Sequence, residues 1–182
     1  MNEQVKVIKK GFAANVWTLR HLKRVGIPND KLTRIFQSYI RPIIEYASVV
    51  YDSMLTKTQS DAIERLQSNA LKTIWGWDKS YEWCIENGAI ERLDERREKA
   101  VIKFANKTLQ NPRYENWFPL NDNTHHDLRR REKFHIDFAR HERLKRAPIY
   151  AMRRKLNEMA STEENAETAY NNIPQGNGIQ VT

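Results

Sequence analysis

Apolar residues recur at helical spacing along most of this chain, and stretches of polar turn residues separate them. Val5, Ile8, Phe12, Val16, Leu19 and Leu22 step by three or four and predict a first helix over about Glu3–Arg24, flanked by Trp17. Gly26 stops it, and Ile27-Pro28-Asn29-Asp30 reads as a turn that starts a second helix. The second stripe is the widest: Leu32, Ile35, Phe36, Tyr39, Ile40, Ile43, Ile44, Ala47, Val50 and Tyr51. Pro42 lies inside it. A proline removes an amide and crowds the carbonyl four residues back, at a cost of about 3 kcal/mol. Because the stripe continues on both sides, the expectation is one bent helix with its kink at Pro42.

Thr56-Lys57-Thr58-Gln59 has the capping-box spacing, in which a hydroxyl and an amide satisfy otherwise unpaired N–H groups. The helix it opens carries Ile63, Leu66, Ala70 and Ile74 on one face and stops at Gly76. Ser80 caps a short helix to Asn87, closed by Gly88. A further helix, about Glu91–Gln110, turns Leu93, Ala100, Val101, Phe104, Ala105 and Leu109 inward and ends at Asn111-Pro112. The next segment, Asp127–Arg146, is helix-like with a thin apolar face of Leu128, Phe134, Phe138 and Leu144. After Pro148, Ile149, Met152 and Leu156 predict a last short helix. The sum is an all-α bundle of about six helices over 3–157, followed by a polar, disordered tail over 158–182.

Composition then narrows the function classes. The net charge of +8 favours a polyanionic partner, RNA or DNA. The charge is patterned: Arg92, Arg96, Lys99, Lys103 and Lys107 recur every three or four residues as a basic stripe, although Asp94, Glu95 and Glu98 lie close by. Arg129, Arg130, Arg131, Lys133, Arg140, Arg143, Lys145 and Arg146 crowd the segment after it. Phosphate contacts from these two sets are the candidate interface. Tyr114, Trp117 and Phe118 either stack on bases or form a buried cluster, and burial is the commoner fate of such residues.

The sequence offers little for catalysis. Cys84 stands alone, between Trp83 and Ile85, so no disulfide and no zinc-finger pattern can form, and a buried thiol is expected. His125, His126, His135 and His141 lack ligand spacing; no metal and no cofactor is expected. Asn106-Lys107-Thr108 is a sequon by chance, inside a helix. No apolar run is long enough to span a bilayer, and the lone cysteine suits the reducing cytosol or nucleus rather than secretion.

Several blocks, in order, resemble one family. Tyr39-Ile40-Arg41-Pro42-Ile43-Ile44-Glu45-Tyr46-Ala47-Ser48 resembles the Y-x-R-P-x-x-E-Y segment downstream of the palm in reverse transcriptases of jockey-like, non-LTR retrotransposons. Leu19-Arg20-His21-Leu22 precedes it as a basic, Leu-rich helix does there. Leu55-Thr56, Gln59 and Leu66-Gln67-Ser68-Asn69-Ala70-Leu71 resemble the next helix. Leu93-Asp94-Glu95-Arg96-Arg97 with Phe104-Ala105 resembles an L-x-x-R-R … F-A helix. Asn116-Trp117-Phe118-Pro119, and Ala147-Pro148-Ile149-Tyr150 through Leu156-Asn157, resemble the final blocks.

The likeness spans about Val5–Asn157. It implies a thumb-like and post-thumb helical module of an RNA-directed DNA polymerase, packing beside a palm and gripping nucleic acid. Tyr39, Arg41, Pro42, Glu45, Tyr46, Trp117, Phe118 and Pro119 are the block residues with structural roles. Family members hold magnesium on an Asp-Asp pair in the palm, and two-metal chemistry needs those carboxylates. No Asp-Asp pair occurs in this sequence. The expectation is a chain that does not polymerise alone, and that either binds nucleic acid or only docks another domain.

Overall fold

Leu32, Phe36, Ile40 and Ile44 are all buried, and they stand four residues apart. An α-helix turns about 400° in four residues, so such a row drifts about 40° round the axis at each step. The chain corrects this with a π-turn. In the computed structural model, which describes residues 2–121 and 132–171, helix α2 (Asn29–Ile35) passes into a π-helical turn, Phe36–Ile40, and then into α3 (Arg41–Glu45). The amide of Arg41 donates to the carbonyl of Phe36, five residues back. The widened turn carries the chain up to Pro42, the second residue of α3, where the missing N–H is tolerated.

The break therefore does not fall at Pro42 as the sequence suggests. It falls at Tyr46–Ala47, where Ala47 takes a left-handed conformation (φ 55°, ψ 22°) before α4 (Ser48–Tyr51). The buried Tyr51 hydroxyl donates to the carbonyl of Ile44, at the open end of α3.

Helix α1 (Asn2–Arg24) and α5 (Lys57–Trp75) pack against each other and against α2. Both halves of the Thr56–Gln59 capping box form, at 3.0 and 3.3 Å. At the other end of α5, Gly76 takes φ 121° and Lys23 of α1 donates to the carbonyls of Thr73 and Ile74. A cation there satisfies both the orphan acceptors and the helix dipole. Helix α6 (Tyr81–Gly88) begins at Ser80 as expected, but the left-handed residue that closes it is Ala89, not Gly88. These helices enclose the main core, which includes Phe12, Leu19, Ile63, Leu71, Cys84 and Leu93. Burial pushes the Cys84 thiol pKa up, as suits a structural cysteine.

Helix α7 (Leu93–Leu109) links this core to a second, smaller one. Val101 and Ala105 pack there with Phe118, Phe134, Met152 and Leu156. Phe104 and Leu109, expected to face inward, are exposed. Arg97 occupies the inner face instead. The start of α7 has no cap of its own; Glu64 of α5 accepts from the amides of Leu93 and Asp94, both at 3.2 Å.

The second half departs most from the sequence expectation. Residues 132–141 are extended, not helical, with one isolated antiparallel bridge between Leu120 and Phe134. Phe134 is buried, but Phe138, its expected neighbour on a helix face, is 91% exposed. Helix α8 (Glu142–Lys145) is a single turn. Helix α9 starts at Pro148 and runs to Asn171, so residues 158–171, expected to belong to the disordered tail, are helical; residues 172–182 lie outside the described part. Among the described residues the chain is all-α, with six helices of seven or more residues and no strand.

Two tyrosines give this core an alkaline limit. Burial, reinforced by the charges of Asp52 and Glu45, pushes the Tyr51 phenol up to about 12. Burial and its hydrogen bond to Glu64 push Tyr81 higher still. Unfolded tyrosine ionises near pH 10. A raised folded pKa contributes stability that is complete below the unfolded value and is lost as pH rises through the folded one. The urea midpoint is therefore expected to fall between about pH 10 and 12, with a smaller fall in Tyr51→Phe. Phenolate absorbance will show two tyrosines still protonated in the native chain after the urea-unfolded chain has ionised. An equal fall in Tyr51→Phe, or full native ionisation near pH 10, would contradict this.

Candidate nucleic-acid interface

A cation that already faces a carboxylate has less to offer a phosphate. On that criterion the basic stripe of α7 divides. Arg92 makes a two-point pair with Asp94, at 3.1 and 3.2 Å, and lies over the Tyr81 ring. Arg96 is held by both oxygens of Glu45 and by Glu91. Lys99 reaches Glu91 at 2.7 Å. Lys103 and Lys107, one and two turns on, are exposed and without a partner among the described residues. The stripe that looks continuous on a helical wheel is thus open only at its C-terminal end.

The second basic set divides as well. Arg129, Arg130 and Arg131 lie outside the described residues. Lys133 sits over the Phe134 ring, 5.7 Å from its centre. Lys145 and Arg146 both face Glu142, at 2.8 and 4.0 Å, and the Arg146 carbonyl accepts from Ser53. Arg140 and Arg143 are exposed with no partner among the described residues. His135 faces Asp137 rather than any ligand set.

The sequence reading overlooked α1. Its buried stripe drew attention, but Lys9, Lys10, Arg20 and Arg24 on its other sides are exposed and unpaired among the described residues. The signal was present: the helix contains one acidic residue, Glu3, which Lys6 occupies at 2.6 Å.

The aromatics of the Trp117 block divide: Phe118 is buried, Tyr114 is half-buried and Trp117 is 40% exposed. Phe118 is 4% exposed and meets Phe134 edge to face at 6.0 Å. Tyr114 and Trp117 pack together at 4.8 Å. Pro119 is exposed, and its carbonyl accepts from the His135 amide.

The R-P-x-x-E block has two sides. Inward, Glu45 lies between Arg96 and Arg41. Arg41 Nε is 3.6 Å from Glu45 Oε1, too long for a hydrogen bond, and is buried with no other acceptor. Burial, then the charge of Arg96, lowers the Arg41 pKa; the bond to Glu45 raises that of Arg96. Outward, Tyr39 and Tyr46 are about three-quarters exposed, at 74% and 77%. A groove of about 820 Å³ runs from Tyr46 past Val50 and Met54 to Arg143 and Arg146.

No three metal-ligating side chains converge among the described residues, and none of their helices is long and apolar enough to cross a membrane. Comparison with known protein families, with characterised proteins and with solved structures finds no match for this chain. The likeness to reverse transcriptases thus stands on the quoted blocks alone.

Proposed function

We propose that this chain is a thumb-like, non-catalytic helical module of a non-LTR retrotransposon reverse transcriptase, and that it binds RNA or DNA through the sugar-phosphate backbone. The observation that carries the binding is that exposed cations without an acidic partner among the described residues recur on three elements: Lys9, Lys10, Arg20 and Arg24 on α1, Lys103 and Lys107 on α7, and Arg140 and Arg143 at or beside α8 are among them. These cations face no carboxylate among the described residues and are open to a phosphate, and the net charge of +8 favours a polyanion. The spatial meeting of two resemblance blocks supports the family reading. Glu45 of R-P-x-x-E receives Arg96 of L-x-x-R-R across 51 residues of chain. Both blocks then have a packing reason to occur together.

Binding of a mixed-sequence single strand and of a duplex, titrated with salt, tests the proposal. Log K is expected to fall by about 0.9 per phosphate contact on duplex and about 0.7 on a single strand. Replacing Lys103, Lys107, Arg140 and Arg143 by Gln should flatten that slope. Arg92→Gln with Lys99→Gln should change it less, because those charges face carboxylates. An unaltered slope in the fourfold variant would remove the assignment of these residues. Absence of binding at low salt would remove the function and leave the competing reading, a domain that docks another protein through the Tyr39–Tyr46 face and its groove.

A further inference from the structure

Helix α1 presents a second face, opposite Ile8, Phe12 and Leu19. Lys10, Trp17, Arg20, His21 and Arg24 fall within about one third of its circumference at 100° per residue. Trp17 is 63% exposed, unusual for the largest aromatic. Its indole stacks on the His21 ring, with centres 5.4 Å apart and planes 15° from parallel. Ala13 and Ala14, one turn before it, are exposed and too small to screen it. Lys10 and Arg24 lie seven residues to either side, about 10 Å along the axis at 1.5 Å per residue. Neither they nor Arg20 has an acidic partner among the described residues.

We infer that this face binds unpaired nucleotides: one base stacks on the Trp17 indole, and the flanking phosphates lie against Arg20, Arg24 and Lys10. The inference rests on the nucleic-acid reading and narrows it to single-stranded segments. An exposed ring within a cationic stripe is the arrangement that holds a strand by alternating stacking and charge, and any base supplies a π-face. A duplex keeps its base faces inside and offers this indole only phosphates. An apolar protein partner would want a ring framed by large apolar side chains, whereas this ring lies beside Arg20 and between Lys10 and Arg24, with only the small Ala13 and Ala14 as apolar neighbours on the helix.

The test uses the full chain and three fluorescent probes at one ionic strength: oligothymidylate, an abasic strand of equal length, and a hairpin duplex closed at its blunt end by a chemical cap. Wild type should prefer oligothymidylate to the abasic strand. Trp17→Ala should lose about tenfold on oligothymidylate, as removal of one stacking partner does, with no change on the other two. Trp17→Phe should retain most of the affinity. Arg20→Gln with Arg24→Gln should weaken all three probes together. Helical circular dichroism checks that the exposed-site variants fold. Equal affinity of wild type and Trp17→Ala for oligothymidylate overturns the inference while leaving backbone binding intact. So does an equal loss by Trp17→Ala on polyglutamate, which would mark an acidic protein partner. If wild type binds none of the probes at low salt, this inference and the nucleic-acid reading fall together.

Discussion

Asp52→Ala is expected to lower the unfolding free energy by about 3–5 kcal/mol, the cost of leaving a buried ion without its partner. The group left behind is Arg97, which is 1% exposed. Its Nε donates to Asp52 Oδ1 and its Nη2 to Ser60 Oγ, both at 2.7 Å, while Nη1 is buried with no acceptor. A guanidinium keeps its charge even where it is buried, so it cannot escape by shedding a proton. With Asp52 gone, one neutral hydroxyl faces a full charge in the seam between the two cores. Arg97→Met should cost less, because Asp52 is 24% exposed and can be hydrated where it stands. The double variant should be more stable than Asp52→Ala alone, since removing both charges removes the uncompensated one. Urea unfolding of the four proteins measures this as a cycle. A loss below about 1 kcal/mol for Asp52→Ala, or a double variant less stable than Asp52→Ala, would mean that water reaches Arg97 and the pair is an ordinary surface bridge.

That cycle also shows where the sequence stops being readable. Arg96 and Arg97 look alike in sequence, two cations of one helix, yet one is part-exposed in a network with Glu45 and the other is core. Their carboxylate partners lie 51 and 45 residues away. Spacing along α7 places side chains on faces; it does not say what lies across from each face. The same limit applies to the stripe from Arg92 to Lys107: spacing shows one basic face, and only the facing carboxylates divide it into neutralised and open positions. What was legible was local. The capping box, the stops at Gly26 and Gly76, and the apolar periodicity of α1 and α5 depend on residues within a turn or two, and they fold as read. Even the π-turn leaves a trace in the four-residue spacing of Leu32, Phe36, Ile40 and Ile44. Because Pro42 falls within the same stretch, its kink was the more obvious reading.

The extended 132–141 segment was illegible for a different reason. Phe134 and Phe138 stand at helical spacing, and basic residues around them have adequate helix propensity. What overrides both is hydrogen bonding supplied from α9. Arg153, 6% exposed, donates to the carbonyls of Trp117 and His135 and pairs with Asp137. The arginine therefore draws together the 3₁₀ turn at Trp117, the extended segment and its own helix. In sequence it stands beside Arg154 and Lys155 as one more surface cation. A long-range donor that satisfies backbone carbonyls outweighs a local preference worth a few tenths of a kcal/mol per residue.

Asn157→Leu tests that account and is expected to cost about 2–4 kcal/mol, since each buried backbone group it strands costs about 1–3. The Asn157 amide behaves as a piece of neighbouring strand. Its oxygen accepts from the Phe134 amide at 2.8 Å, and its nitrogen donates to the Phe134 carbonyl at 3.0 Å. Asn157 is itself 6% exposed, so water does not readily replace either bond. Leucine has similar volume and adds apolar contact next to Met152 and Leu156, which separates the hydrogen-bond loss from a cavity effect. The remaining ties of the segment, Asn121 to the Lys133 carbonyl, His135 to the Pro119 carbonyl, and Arg153 to the His135 carbonyl and Asp137, do not reach the Phe134 amide or carbonyl. The damage should therefore be local first. Hydrogen exchange at the Phe134 amide should quicken far more than at the amides of α1 or α5, and the Phe118–Phe134 contact should loosen before the main core yields. Unchanged protection at Phe134 would show that the segment is held by its apolar contacts and its other hydrogen bonds, and that the two bonds with Asn157 follow from its position and do not cause it.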